Sequence, residues 1–435
     1  MSQLAKKSRP SQLIAKYSGY SKNSINFVRP LILVSFLCVL CASVVDLAAQ
    51  DWKAVHDGVE YAQIEHRIGE DPVKINLLRL DLKKVRLDVH HALDKAIGLE
   101  TTSSITNRKG AIAAINAGFF RLDNSAWAGD ATGSLMIDGK VLSENSNERI
   151  SIVITNGKRE TEVIFLHLNT YGVLGFAGAL HATVFSGVNR EVKPNEVVLY
   201  SPQFGPTTMT QGVAGELVLS KCKPKQSWPE TSGLVCRTAE LRKASSNNAI
   251  PVDGFVISIG PEATAQMSDL ELKYDSSGRY RSAHRPLIRF YLRDRETKRS
   301  IIPNDSTDVT NGIPRLINNG KIDITWEQEK ASRAFVFNRH PRTAVAKMKD
   351  GKFLMITVDG RQPGVSVGMT LQELAEYLLS LGAVDAMNLD GGGSTTMVLD
   401  GKVVNKPSDP TGERKIGDAI VVTLRKTARP ASRKN

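Results

Sequence analysis

The stretch that decides the fold is NRHPRTAVAKMKDGKFLMITVDGRQPGVSVGMTLQELAEYLLSLGAVDAMNLDGGGSTTMV, residues 338–398. It opens with two apolar runs, Thr343–Lys347 and Phe353–Val358. Asp350–Gly351 lies between them, a pair that suits a tight hairpin turn. Thr370-Leu371-Gln372-Glu373 has the form of a capping box, in which the Thr hydroxyl and the Glu carboxylate satisfy free amides at a helix start. Leu371, Leu374, Ala375, Leu378 and Leu379 then recur at helical spacing on one face. Gly382 supplies a left-handed stop. A third apolar run, Asp385–Leu389, returns to the sheet. The order strand, helix, strand makes Phe353–Val358 and Asp385–Leu389 candidate parallel neighbours, with their C-terminal ends on one edge, where α/β sites form.

Outward from this block, short apolar runs alternate with the same kind of turn. Asp138–Gly139, Asn156–Gly157, Asn319–Gly320 and Asp400–Gly401 each separate strand-like segments. Further strand candidates are Ile75–Leu80, Val85–Val89, Ala111–Asn116, Ser151–Thr155, Val163–Leu168, Glu196–Leu199, Gly254–Ser258 and Leu287–Leu292. The expected fold is α+β (mixed α/β): β-rich, with a largely antiparallel sheet and a few flanking helices. Residues 221–250 and 261–285 are rich in Ser, Lys, Asn and Glu and read as surface insertions. With no internal repeat and no clear linker, residues 50–424 are expected to form a single large domain.

The chain has 435 residues, 41% hydrophobic and 23% charged, which supports a sizeable core and excludes wholesale disorder. Four cysteines are too few for a scaffold held by disulfides in place of a core. Residues 1–30 carry six Lys or Arg and no acid, and Leu31–Val45 is apolar and followed by small residues near Ala49. That pattern describes an export signal, residues 1–49. The apolar run is shorter than the roughly twenty residues of a membrane span. Export places the protein in a periplasmic or extracellular compartment, with an uncleaved anchor at 31–49 as the other reading and the sole route to a membrane. Loss of residues 1–49 removes six cations and one acid and takes the net charge from +12 to +7. The mature surface would then suit anionic polymers, while no zinc-finger spacing or basic-aromatic stripe points to nucleic acid. Residues 425–435 read as a basic, disordered tail. Cys222 and Cys236 are the cysteines left after export and are expected to pair.

Polar residues that could carry chemistry gather at expected strand ends. Asn116 closes one strand. Arg342 and Thr343 open another, Asp359 and Arg361 follow the next, and Asp390, Gly391, Gly392, Gly393 and Ser394 follow the third. Asn405 and Arg414 come after a hairpin. Three consecutive glycines make sense where the main chain must approach something closely, and their amides could face an anion. Arg342 and Arg361 suit a phosphate. Asp359 and Asp390 could stabilise a cationic sugar-like transition state, move protons, or hold Mg²⁺ or Ca²⁺. Ser394 does not sit in a Gly-x-Ser-x-Gly elbow, and the chain has no phosphate-binding P-loop.

These residues resemble the phosphodiester glycosidase domain, the family of the uncovering enzyme. NRHPRTAVA, VDGRQPG, NLDGGGSTTMV, NKPSD and ER carry the resemblance most strongly. AAINAGFF at 113–120, GSLMIDGKVL at 133–142, NEVVLYSPQFG at 195–205 and PVDGFVISIG at 251–260 extend it over roughly 60–422. The resemblance implies hydrolysis of a sugar-1-phosphodiester at the anomeric carbon, with a phosphorylated glycan or glycosyl phosphodiester as substrate. It implies a site of Asn116, Arg342, Thr343, Asp359, Arg361, Asp390, Gly391–Gly393, Ser394, Asn405 and Arg414. Within that set, Arg342, Arg361 and the glycine amides are expected to bind the phosphate, while Asp359 and Asp390 act at the anomeric carbon. No cofactor is required by the sequence. Two alternatives stay open: a noncatalytic binder of envelope polysaccharide, and a metal-dependent phosphodiesterase that cuts the P–O bond.

Overall fold

A strand made almost wholly of apolar side chains can be buried on both faces, and Phe353–Val358, apolar but for Thr357, is such a strand, with all six residues inaccessible. In the computed structural model, which describes residues 51–176, 182–224, 232–271 and 285–425, it lies inside an eight-stranded antiparallel sheet. From one edge the order is Lys53–His56, Val59–Ile68, Asp71–Leu80, Phe353–Val358, Arg342–Met348, Ala383–Asn388, Arg315–Asn318 and Lys321–Ile322. Phe353 and Met355 face a core shared with Leu87, Ile115, Ile152 and Ile420. Leu354, Ile356 and Val358 face the opposite way, against Leu371, Leu374, Ala375 and Leu378 of a helix.

That helix, Leu371–Ser380, forms as its sequence dictates. The Thr370 hydroxyl accepts from Glu373 N, and the Glu373 carboxylate accepts from Thr370 N. Gly382 follows with φ +89°. Burial of the helix's leucines is worth roughly 1.5–3 kcal/mol each. Leu379, expected on the same face, is half-buried at its margin.

One expectation is corrected. Phe353–Val358 and Ala383–Asn388 run in the same direction but are not neighbours. Arg342–Met348 lies between them, antiparallel to both. The hairpin at Asp350–Gly351 forces this, because it returns the chain alongside itself before the helix crosses over. The C-terminal ends of the two outer strands still share an edge, and the N-terminal end of the middle strand joins them there.

Three further sheets of five or more strands complete the described fold. A five-stranded sheet runs Lys402–Val403, Met397–Leu399, Ala113–Asn116, Asp418–Leu424 and Val85–His91. A ten-stranded sheet is built on the long strand Thr161–Phe176, which pairs with Ile150–Asn156 and Pro286–Asp294. A second five-stranded sheet centres on Phe255–Ile259. Among the described strand pairings only Gly187–Val188 with Val197–Tyr200 is parallel. Residues Ala49–Asn435 form one compact unit, so the molecule is a β-rich, largely antiparallel fold with few helices.

Asp138–Gly139, Asn319–Gly320 and Asp400–Gly401 have positive φ at both residues, as tight hairpins require. Residues 221–250 are not a bare loop. Thr238–Lys243 pairs with Gly215–Ser220, Ser232–Val235 pairs with Pro286–Asp294, and Cys236 is fully buried. Thr238–Lys243 is an edge strand and needs only one apolar face, which its polar composition allows. Cys222 and Cys236 are bonded, S–S 2.03 Å. Within 261–285, Thr264–Glu271 is helical. Residues 1–49, assigned to export, and 426–435, assigned to the tail, lie outside the described residues. Arg425 does belong to the fold: its guanidinium donates to Val85 O, Gly157 O and Thr161 Oγ1.

Candidate functional site

The site lies where three strands of the eight-stranded sheet end together, closed on one side by the turn after Ala113–Asn116. Asn116 joins the two sheets. Its Nδ2 donates to Asp390 O at 2.6 Å, and its Oδ1 accepts from Thr343 Oγ1 at 2.8 Å and from Thr396 N at 3.0 Å. Asp390 N donates to Ala117 O at 2.9 Å. Asn116 and Thr343 are fully engaged in fixing the loop on which Asp390 sits, which makes them positioning residues.

The three glycines serve close approach. A Cβ on Gly391 would lie 2.7 Å from Pro341 O, and one on Gly393 would lie 2.2 Å from both Arg414 Nη2 and Asp409 Oδ1. Gly392 has φ +62° and donates to Pro341 O at 2.9 Å. Ser394 N and Thr395 N donate to carbonyls of the same turn. The expected cradle of free amides is therefore largely occupied, because the turn is a short 3₁₀ helix, Gly392–Ser394, that satisfies its own amides. What remains unpaired are hydroxyls: Thr395 and Thr396 are buried with no hydrogen-bond partner.

Arg342 is the largest fully buried side chain among the described residues. Its Nε donates to Met369 O at 2.8 Å, and its Nη2 donates to Phe335 O at 2.7 Å and Asn338 O at 3.0 Å, while Nη1 has no partner. It pairs with no carboxylate among the described residues. Burial, followed by the neighbouring charge of Arg361, pulls its guanidinium down to about 9. Arg361 is exposed, has no hydrogen-bond or ion-pair partner among the described residues, and holds φ +59°, which is strained for a side chain that is not glycine. Its Nη2 lies 3.1 Å from the place a Cβ on Gly392 would occupy. A buried cation without a counter-charge is costly, and a second unpaired cation beside it sharpens the demand for an anion.

The two aspartates occupy different settings. Asp359 Oδ1 accepts from Asn405 Nδ2 and Lys406 N, both at 3.1 Å, and Oδ2 accepts from Lys406 N at 3.2 Å. Asn405 in turn donates to Thr395 O and accepts from Met397 N. Asp359 therefore clamps the 405–406 loop to the glycine turn. Burial raises its carboxyl, against the pull of those donors. Asp390 is half-buried, and burial pushes it up to about 6, opposed by the Ser394 hydroxyl and Arg414 and aided by Asp418. Arg414 holds Asp409 in a bidentate pair at 2.7 and 3.0 Å. Among the described residues no three His, Cys, Asp or Glu side chains gather into a metal-binding group.

Sequence reasoning passed over several members of the site. Arg149, just before the strand Ile150–Asn156, is partly buried, lies 5.2 Å from the Phe119 ring centroid and interacts with the Asp390 charge. Phe119 and Phe335 meet edge to face at 5.9 Å, and Arg342 lies 4.9 Å from the Phe335 centroid. Asp418 is buried behind the turn, accepting from Gly118 N at 2.8 Å and from Thr310 Oγ1. A charge placed just before an apolar strand was the one signal for Arg149 and Asp418, and it is shared by many surface residues.

This geometry defines a class: a β-rich protein in which two guanidinium groups without a carboxylate partner and two carboxyls with raised pKa values gather where strands of two sheets end. Residues 233–423 match the model of the phosphodiester glycosidase family. The chain is 36% identical over 132 residues to the bovine N-acetylglucosamine-1-phosphodiester alpha-N-acetylglucosaminidase, covering 28% of this chain and 24% of that one. It is 31% identical over 189 residues to the human protein of the same name, covering 40% and 35%. The chain thus aligns with between about a quarter and about a third of these relatives. A solved protein from Burkholderia pseudomallei K96243 shares the fold at TM-score 0.66 and 22% identity, covering 82% of this chain and 75% of that one. Over residues 233–423 the chain is thus similar to the phosphodiester glycosidase family.

Proposed function

We propose that the protein hydrolyses a sugar-1-phosphodiester at the anomeric carbon, acting after export on an envelope or extracellular glycan. The observation that carries this reading is the pair Arg342 and Arg361, two guanidinium groups without a carboxylate partner, at the loop that bears Asp390. A phosphodiester supplies the missing negative charge, and planar forks grip it with paired charged hydrogen bonds. The names of the bovine and human relatives make N-acetylglucosamine the first sugar to test.

Asp390 is the reacting group. A carboxyl near pH 6 is ionised at neutral pH yet basic enough to take a proton in the transition state. It takes one proton from a water that attacks C1. The C1–O bond breaks, and the phosphate departs with the bonding electron pair onto Arg342 and Arg361. A phosphate monoester is a good leaving group, so little acid assistance is needed. Arg149 lies where it can steady the carboxylate, and Asp359 holds the loop rather than meeting the sugar.

The test is product analysis on N-acetylglucosamine-1-phosphodiesters, with and without chelator. Free reducing sugar plus a phosphate monoester, unaffected by chelator, supports the reading. A sugar phosphate released only with divalent cation would replace it with P–O cleavage. Tight binding with no product would replace it with a glycan-binding role.

A further inference from the structure

The short helix Arg333–Phe337 turns Phe335 toward Arg342 and Phe119 and turns another ring outward. Residues two apart on a helix point to nearly opposite sides, so Phe337 stands about one helix diameter, ~10 Å, from Phe335. Phe337 is 52% exposed. Trp326 meets it edge-on, with ring centroids 5.5 Å apart and planes at 81°. The Arg333 guanidinium lies 5.0 Å from the Phe337 centroid and 5.9 Å from that of Trp326. Arg333 is itself exposed and pairs with no carboxylate among the described residues. Two rings and an unpaired cation thus share one solvent-facing surface, on the element whose Phe335 carbonyl holds Arg342.

We propose that Trp326, Arg333 and Phe337 form an outer subsite for the next sugar–phosphate unit of an anionic glycan. The inference rests on the reaction proposed above and extends it from a small diester to a polymer. One face of a pyranose ring is lined by C–H groups, which the negative face of an aromatic ring attracts. The rim of the sugar stays in water, which fits rings that are half exposed. The phosphate that follows each sugar in such a polymer finds the planar fork of Arg333. One helix links the subsite to the proposed reaction site, through the Phe335 carbonyl that accepts from Arg342.

The experiment uses the full chain and a series of one to four N-acetylglucosamine-1-phosphate units in phosphodiester linkage. In the parent protein kcat/KM rises by about five- to ten-fold between one and two units, the scale of a cation–π and stacking contact. Phe337→Ala and Arg333→Ala lose that rise and keep the one-unit rate, and Phe337→Trp retains the rise. Affinity electrophoresis in a gel containing the four-unit glycan reads binding without turnover. The parent is retarded, and the two alanine variants migrate as they do in a plain gel. The same length dependence or the same retardation in all proteins overturns the subsite. So does retardation by a neutral glycan alone, or binding confined to another protein. Failure of the parent to release sugar from the one-unit substrate would instead sink the reaction, and the electrophoresis would still decide the subsite.

Discussion

Glu216 and Arg342 are both fully buried charged residues, and their surroundings could hardly differ more. Glu216 lies in the second five-stranded sheet. Its carboxylate accepts from the hydroxyls of Thr208, Thr210 and Ser258 and from both N and Nδ2 of Asn248. Every lone pair is met by a neutral donor, and the charge is spent on holding three segments together. Arg342, at the edge of the eight-stranded sheet, meets three main-chain carbonyls, no carboxylate, and keeps one unpartnered nitrogen. Thr395 and Thr396, just after the glycine turn, are buried and unpartnered as well. Buried charge completed from all sides is architecture. Buried charge left incomplete, among other incomplete groups, marks where a ligand is expected.

The largest break in the comparison should come at Asp390. Asp390→Asn is expected to lower kcat by about 10³-fold, measured as reducing sugar released, with the fold intact by circular dichroism. Glu216→Leu should do the reverse. It orphans five donors and should cost about 3–5 kcal/mol of stability in urea unfolding, while the folded fraction keeps its kcat. Loss of kcat with stability unchanged would erase the distinction between the two regions.

Arg342→Met sharpens the contrast. Removing an uncompensated buried cation should change stability by no more than about 1–2 kcal/mol, while kcat/KM falls about 10²-fold. Inorganic phosphate should raise the Tm of the parent and leave that of Arg342→Met unmoved. Phosphate stabilising both equally would remove Arg342 from the anion site.

The smallest effect concerns pH. Asp390 titrates near 6 in the folded chain, above the usual carboxylate value of 3.8. The native state therefore holds a proton that the unfolded state has released between those values, and stability falls as pH rises through that window. Asp390→Asn, which cannot ionise, should exceed the parent by about 1–2 kcal/mol at pH 7, after allowance for partial exposure. The gain should vanish near pH 3.5. A gain that does not depend on pH would mean the carboxyl is not raised.

Much of this was legible in the chain. The capping box at Thr370 and Glu373, the hairpin pairs and the apolar run Phe353–Val358 are local signals, and they produced the elements they specify. Charged and glycine residues at strand ends located Arg342, Arg361, Asp390 and the glycine turn. The roles were harder to read. Asp359 and Asn405 were read for chemistry, and the hydrogen bonds that tie them to the 405–406 loop were not legible, nor were the bonds from the Gly392, Ser394 and Thr395 amides to carbonyls. Residues 221–250 were read as a surface insertion, and the strand Thr238–Lys243 within them was not legible because an edge strand carries little apolar signal. Arg149, Phe119 and Phe335 gave almost no signal, since each is an ordinary residue until something is folded against it.

The sequence by itself determined the elements, the caps, the turns and the set of polar residues at the strand ends, because those depend on residues within a few positions of one another. Only the tertiary structure decided that Arg342–Met348 lies between the two strands flanking the helix, that Asp359 accepts hydrogen bonds from Asn405 and Lys406, and that Arg342 is buried without a carboxylate partner among the described residues. Those facts depend on which groups meet across hundreds of residues, as Asn116 meets Asp390. Hydrogen bonding and desolvation are settled by that meeting, and they separate a reacting carboxylate from a structural one.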